Sequence, residues 1–81
     1  MMLTAGDTLQ ILSEVCRVSV AELTPEKHLT QDLDLDSVLA MDLLMTLEER
    51  LATDISEVEA AQLVTVGDVL ELVREKGQTS G

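Results

Sequence analysis

Length, composition and charge restrict what this chain can be. With 81 residues it has material for one domain, and a hydrophobic content of 46% excludes a disordered acidic tail. Its 16 acidic residues against 5 basic ones give a net charge of -11, which disfavours nucleic acid and anionic membranes and favours basic partners. Cys16 has no disulfide partner, and no signal-like segment or membrane-length apolar run is visible, so we expect a soluble cytoplasmic protein.

Apolar residues at helical spacing predict a first helix between Asp7 and Arg17. Its predicted apolar stripe consists of Leu9, Leu12, Val15 and Cys16, with Ile11 beside it. We expect Cys16 to be a buried core residue, since it lies on that stripe. From Val18 to Leu35 the periodicity breaks, which predicts a long connection around Pro25. The leucines expected to anchor this connection are Leu23, Leu29, Leu33 and Leu35.

The clearest helix covers residues 37–51, where the apolar stripe comprises Ala40, Leu43, Leu44, Leu47 and Leu51. Ser56 and Glu59 stand at capping-box spacing and predict a short third helix. Thr65 and Asp68 repeat this spacing before a fourth helix, which is predicted to run to about Lys76 and to end at Gly77. We therefore predict one all-α domain over residues 1–81, a four-helix bundle with three longer helices, one short helix and a disordered tail at about 77–81.

Ser37 stands at the start of the clearest helix, within the stretch DLDLDSVLAMDLL. Serine at such a position is often only a helix cap. Here neither Ser37 nor Asp36 can complete a capping box, because Ala40 and Leu39 follow them at the third position, although Asp36 can still cap singly. The other interpretation is a serine that another enzyme modifies, since the start of a helix favours an attached phosphate.

The sequence argues against two further kinds of site at Ser37, a calcium-binding loop and a hydrolase active site. Asp32, Asp34 and Asp36 resemble the opening of a calcium-binding EF-hand loop, but serine replaces the required glycine and leucine replaces the final glutamate. A hydrolase is disfavoured because the nucleophile elbow is missing and the single histidine, His28, lies in the long connection. We expect His28 to be a solvated loop residue, and we expect neither a metal site nor a catalytic residue.

The run LDLDSVLAMDLLMTLEERLATDI resembles the acyl carrier proteins, whose hallmark is Asp-Ser-Leu at the start of the second helix, here Asp36-Ser37-Val38. The stretches HLTQDLDLDS and LVTVGDVLELV extend the resemblance over almost the whole chain. It implies that a phosphopantetheinyl transferase attaches 4'-phosphopantetheine from coenzyme A to Ser37. The arm would carry acyl groups as thioesters, and the chain itself would be a non-catalytic carrier.

The resemblance also implies that partner enzymes recognise the second helix. Acidic recognition maps onto Asp36, Asp42, Glu48 and Glu49, and apolar recognition onto Val38, Met41 and Met45. The implied partners are the transferase and acyltransferases, ketosynthases or acyl-activating enzymes with basic patches, and the carrier is expected to be a monomer. Leu43, Leu47 and Leu51 are predicted to face inward, and we hypothesise that this aromatic-free core parts to admit an acyl chain.

Three residues depart from the pattern of the acyl carrier proteins. Asp34 stands where glycine is common, which leaves the turn before Ser37 open; Leu39 replaces a residue that is commonly polar, and Arg50 interrupts an acidic run. Because Leu39 and Arg50 make the helix less negative, they favour a polyketide or other specialised pathway over fatty-acid biosynthesis. Two alternatives remain: a peptidyl or aminoacyl carrier, including D-alanyl carriers, and an unmodified acidic adaptor.

Overall fold

The first helix, α1, spans Ala5–Cys16 in a computed structural model that describes residues 3–77. Thr4 starts the helix: its hydroxyl accepts a hydrogen bond from the Asp7 N–H at 3.0 Å, and the Asp7 carboxylate accepts one from the Thr4 N–H at 3.1 Å. Helix α1 therefore begins slightly before the predicted start at Asp7. Arg17, with a left-handed φ of 59°, follows the last helical residue and ends it.

The buried side of α1 differs from the predicted stripe. Ile11 and Leu12 are buried, whereas Leu9 and Cys16 are only half-buried, so the prediction of a buried Cys16 is corrected. Partial burial raises the pKa of the Cys16 thiol. The centre of the buried side includes Thr8, whose hydroxyl donates to the Thr4 carbonyl at 3.0 Å. This hydrogen bond satisfies the hydroxyl and permits a polar residue in the core.

The connection between α1 and α2 contains a 3₁₀ turn at Val20–Glu22 and is otherwise irregular. The predicted leucine anchors are confirmed, since all of them are buried: Leu23, Leu29, Leu33 and Leu35. The connection pairs with the segment before α4 through a β-bridge between His28 and Thr65. His28 is half-buried and therefore less solvated than predicted, and its backbone N–H donates to the Asp32 carboxylate at 2.7 Å.

Helices α2 and α3 begin where the sequence predicted. Helix α2 spans Ser37–Leu51, and α3 is a single short turn at Glu57–Ala61. The predicted capping box of α3 is present, because the Ser56 hydroxyl accepts from the Glu59 N–H at 3.1 Å and the Glu59 carboxylate accepts from the Ser56 N–H at 3.0 Å. None of the residues of α3 is buried.

Helix α4 spans Val66–Gly77, so it includes Gly77, which was predicted to end it. Predicted tail residues 78–81 lie outside the described part. At its start, the Asp68 carboxylate accepts hydrogen bonds from the N–H groups of Val64 and Thr65, each at 3.0 Å. Gly67 allows close contact with the long connection, because a Cβ there would lie 3.3 Å from the Pro25 carbonyl oxygen.

Helices α1, α2 and α4 pack around one aliphatic core, and α3, which has no buried residue, lies at its edge. The most deeply buried core side chains are Leu12, Leu43, Leu47, Val66 and Val69. The described chain is thus the small helical bundle that the sequence predicted. None of its helices combines the length and apolar character that crossing a membrane requires.

Candidate functional site

Ser37 is the first residue of α2 and is exposed. The helix cap is Asp36, whose carboxylate oxygen Oδ1 accepts a hydrogen bond from the Leu39 N–H at 2.8 Å. The interpretation of Ser37 as the helix cap is therefore wrong. The prediction that Asp36 can cap the helix without a capping box is confirmed. Because the neighbouring residue caps the helix, the Ser37 hydroxyl is not needed for this structural role.

The turn before Ser37 is held between two buried leucines. Leu33 and Leu35 are both buried, and the Leu35 N–H donates to the Leu29 carbonyl at 2.9 Å. Asp34 lies between them with a φ of 55°, in the left-handed region where glycine is most easily accommodated. The conformation of the turn before Ser37, which the sequence left open, is therefore the one that glycine adopts without strain, with aspartate in its place.

The start of α2 has room and hydrogen-bond donors for an attached phosphate. The Leu39 N–H is bonded to the Asp36 carboxylate, and the Ala40 N–H donates to the Asp36 carbonyl at 2.8 Å. The preceding N–H groups, those of Ser37 and Val38, have no acceptor within the helix. Together with the positive end of the helix dipole and the exposed hydroxyl, these groups fit a phosphate ester on Ser37.

The solvent-facing side of α2 carries an apolar row that a folded monomer would normally bury. Val38, Met41 and Met45 are 74%, 64% and 59% exposed. Exposed carboxylates border this row at Asp36, Asp42 and Glu49. We call these six residues the outer face of α2. They are the predicted recognition residues except Glu48, and an exposed apolar row with an acidic border is typical of a binding surface.

Glu48, which was also predicted to recognise partners, differs from its neighbours. It is half-buried, and its carboxylate oxygen Oε2 accepts a hydrogen bond from the Ile55 N–H at 2.8 Å. Sequence reasoning had no signal for this contact, because it joins residues in the helix and in the segment that follows its end.

Leu39 and Arg50 lie away from the outer face. Leu39 is half-buried and contacts the core. Arg50 follows Met41 by nine positions, which is about 180° around the helix. Thr4 holds the pKa of Asp7 below its ordinary value through its backbone N–H and hydroxyl, and the Arg50 charge adds a smaller lowering effect. These two departures therefore leave the outer face unchanged.

The opposite side of α2 faces the core as predicted for Leu43 and Leu47, which are buried, whereas Leu51 is half-buried. A cavity of about 50 Å³ lies between α2, α3 and the long connection. Apolar side chains line it: Leu29, Leu35, Ala40, Leu43, Leu44, Ala60 and Leu63. Within residues 3–77, no three side chains of His, Cys, Asp or Glu converge on a position that could hold a metal ion.

Comparison with known proteins identifies the family. The phosphopantetheine attachment site family matches residues 7–73. The acyl carrier protein of Chlamydia trachomatis serovar D is 39% identical over 70 residues, which cover 86% of this chain and 91% of that protein. The acyl carrier protein of Helicobacter pylori strain G27 is 33% identical over 69 residues, covering 85% of this chain and 88% of that protein.

Two solved structures share the fold. A Mycobacterium tuberculosis protein that is provisionally assigned as an acyl carrier protein aligns with a TM-score of 0.81 and 27% identity, over 88% of this chain and 95% of that one. The acyl carrier protein from Enterococcus faecalis aligns with a TM-score of 0.72 over 90% of this chain and 98% of that one, and at 23% identity this match shows the fold alone.

Fold, family match and relatives agree with each other. Proteins of this family are non-catalytic carriers that bear acyl groups on a covalently attached 4'-phosphopantetheine, and the start of α2 fits such a group. The chain therefore belongs to the acyl carrier protein family.

Proposed function

We propose that Ser37 is the attachment site and that the chain delivers acyl groups to biosynthetic partner enzymes. The supporting observation is the exposed Ser37 hydroxyl at the start of α2, where Asp36 supplies the cap. A phosphopantetheinyl transferase forms the bond between Ser37 Oγ and the phosphorus of coenzyme A that bears the pantetheine group. The bond between this phosphorus and the bridging oxygen of the pyrophosphate breaks, 3',5'-adenosine diphosphate leaves, and the hydroxyl proton is released. The attached group supplies a terminal thiol that holds acyl groups as thioesters.

The chain's own contribution is presentation and recognition. The buried leucines around Asp34 fix the turn, and the free N–H groups of Ser37 and Val38 stabilise the phosphate charge. The outer face of α2 docks onto partners, with its methionines and valine in apolar contact and its carboxylates facing lysine or arginine. A net charge of -11 steers basic partners to this carrier and opposes self-association, which supports a monomer.

The partners we propose are the transferase and enzymes with basic patches, such as acyltransferases, ketosynthases or acyl-activating enzymes. We propose fatty-acid or polyketide-type specialised biosynthesis as the pathway, in the cytoplasm. The sequence favoured the specialised pathway because of Leu39 and Arg50, but their position off the outer face weakens that argument. Loading assays with malonyl and other acyl groups would separate the two pathways.

An amino-acid carrier is the alternative within the same family. Peptidyl, aminoacyl and D-alanyl carriers use the same modified serine, so the geometry of Ser37 suits them equally. Such carriers receive their cargo from an adenylating enzyme. Transfer of an amino acid onto the modified chain by its cognate adenylating enzyme would favour this alternative over acyl transport.

We infer that a carried acyl chain enters the apolar cavity between α2 and α3. Its present volume of about 50 Å³ is small, so entry requires the surrounding aliphatic side chains to move apart. Methyl resonances of Leu43 and Leu44 should shift when an acyl group is attached to the arm. If those resonances stay unchanged, the acyl chain remains outside the core.

The attachment proposal is tested by mass spectrometry. The purified apo protein is incubated with coenzyme A and a broad-specificity phosphopantetheinyl transferase, beside a Ser37→Ala variant. We expect the wild type to gain the mass of one phosphopantetheine group and the variant to gain none. Because Ser37 is exposed and Asp36 caps the helix, the variant should fold normally, which circular dichroism verifies. An unmodified, folded wild type would favour the acidic adaptor instead.

A further inference from the structure

Glu48 lies beside the outer face of α2, but its side chain is turned towards the segment that follows the helix. Its carboxylate oxygen Oε2 accepts the hydrogen bond from the Ile55 N–H at 2.8 Å. We propose that Glu48 is a positioning residue, which fixes α3 relative to α2 and shapes the end of the docking surface through its hydrogen bond to the Ile55 N–H and not through its charge. This inference deepens the proposed function, since it rests on the outer face of α2 being the docking surface.

Both the backbone and the side chain of Glu48 hold the turn after α2. Ala52 follows the last residue of α2, has a left-handed φ of 55° and donates its N–H to the Glu48 carbonyl. The Thr53 N–H donates to the same carbonyl at 3.3 Å. The carboxylate then binds the Ile55 N–H, and Ile55 itself contacts the core. One residue of α2 thus contacts three positions of the following turn.

Polar contacts continue from this turn through α3 to α4. Ser56 and Glu59 form the capping box of α3, and the other carboxylate oxygen of Glu59 lies 2.9 Å from the Lys76 ammonium nitrogen. Lys76 is the main reason why the pKa of Glu59 lies below its ordinary value, and the Ser56 backbone N–H adds to this. Because α3 has only one turn and buries none of its residues, its position depends heavily on these contacts.

The position of α3 and of the preceding turn affects two features near the docking surface. Ala60 and Leu63 form the α3 side of the apolar cavity. The turn also forms one side of an open groove of about 550 Å³, whose other side consists of Met45, Glu48 and Glu49 of α2. If the Glu48 carboxylate released Ile55, the turn could move, and the groove beside Met45 would change shape.

Glu49 provides a matched comparison on the same helix. It is exposed and lies on the outer face, whereas Glu48 is half-buried. We expect Glu49 to act on basic partners through its charge and Glu48 to act through its hydrogen bond. Glutamine separates these roles, because its carbonyl oxygen can still accept the Ile55 N–H but it carries no charge.

The experiment uses Glu48→Gln, Glu48→Ala, Glu49→Gln and Glu49→Ala in the full chain, each of which removes one negative charge. Amide hydrogen exchange at Ile55 should be about threefold to tenfold faster in Glu48→Ala, the effect of losing one ordinary hydrogen bond, and near wild type in the other variants. Phosphopantetheine transfer should give a kcat/KM near wild type for Glu48→Gln. Both Glu49 variants should lose about twofold to fivefold at low salt, as expected for one surface charge.

Two results would overturn the assignment. If Glu48→Gln loses as much kcat/KM as Glu49→Gln while Ile55 stays protected, then Glu48 contacts the partner through its charge. If Ile55 exchange is unchanged in Glu48→Ala, the carboxylate does not hold the turn. The exchange measurement needs no modification of Ser37, so it still decides the role of Glu48 if the wild-type protein accepts no phosphopantetheine and the carrier proposal fails.

Discussion

Helix α2 presents apolar residues on two sides that serve different purposes. On the inner side, Leu43 and Leu47 are 1% and 0% exposed and pack with α1 and α4. On the outer side, Met41 and Met45 are 64% and 59% exposed. Burial of the leucines stabilises the fold, whereas the exposed methionines gain nothing from folding and are available to a partner. The apolar residues of this helix therefore belong to two different surfaces, the core and the proposed docking surface.

The difference between the two sides also concerns the choice of residue. The inner side uses branched leucine in a core without aromatic residues, and the outer side uses methionine, whose flexible thioether adapts to different surfaces. A carrier that meets several enzymes in turn benefits from such an adaptable contact. We therefore expect substitutions on the inner side to affect stability, and substitutions on the outer side to affect transfer to partners.

The largest expected effect is that of Leu47→Ala, compared with Met45→Ala on the opposite side. Loss of the fully buried Leu47 side chain should lower the free energy of unfolding by about 2–5 kcal/mol, because transfer and cavity costs add. Met45→Ala should change it by less than about 0.5 kcal/mol. Urea unfolding followed by circular dichroism measures both values.

The rate at which partner enzymes modify or load the protein is the second measurement that compares Leu47→Ala with Met45→Ala. Met45→Ala should reduce the kcat/KM of phosphopantetheine transfer or acyl loading while the protein stays folded. Equal losses of stability in the two variants would mean that Met45 belongs to the core after all. A Met45→Ala variant that is loaded as efficiently as the wild type would remove Met45 from the docking surface.

The second expected effect concerns the start of α4, which supports the inner side of α2 through the fully buried Val66 and Val69. Hydrogen bonds from backbone N–H groups, the larger effect from Thr65 and a smaller one from Val64, hold the pKa of Asp68 below its ordinary value of 3.8. Ionised Asp68 therefore stabilises the folded state above that value, and this contribution is lost as the pH falls through the lower pKa of the folded state.

Asp68→Asn tests this contribution. At about pH 6 the variant should unfold with a free energy about 0.5–1 kcal/mol lower than the wild type, because asparagine accepts the same N–H groups without a charge. At about pH 3 and below the difference should shrink, since Asp68 becomes protonated in the wild type. Urea unfolding across this pH range gives the comparison, and a difference that does not change with pH would rule out an ionised Asp68 as the cause.

Local sequence signals were sufficient for most of the fold. The capping residues Ser56 and Glu59 predicted α3, and the leucine stripe predicted the bounds of α2, because both depend on neighbours within a few positions. The start of α1 was missed because its capping box pairs Thr4 with an aspartate, where the usual residue is glutamate. Thr8 was missed as a core residue, since its burial depends on a hydrogen bond that hydrophobicity does not reveal.

The candidate site was only partly predictable. Ser37 was predicted as the attachment residue from its place at the start of the helix and from the resemblance to acyl carrier proteins, and the structure shows that Ser37, Val38 and Met41 are exposed. The contact of Glu48 with Ile55 could not be predicted, because it depends on how the chain turns after α2.

The smallest expected change from the wild type concerns the turn where the inner core meets the start of α2. Asp34 has a φ of 55°, which costs energy for any residue with a Cβ but little for glycine. Asp34→Gly should therefore raise the free energy of unfolding by about 0.5 kcal/mol, the strain relief being partly offset by the greater freedom of glycine in the unfolded chain.

Asp34→Ala removes the same charge but keeps the Cβ, so it should be about 1 kcal/mol less stable than Asp34→Gly. Urea unfolding of both variants isolates the backbone contribution, and equal stabilities would show that charge, not conformation, governs this position. Since Leu33 and Leu35 anchor the turn on both sides, Ser37 should keep its position in Asp34→Gly, and phosphopantetheine transfer should proceed at the wild-type rate.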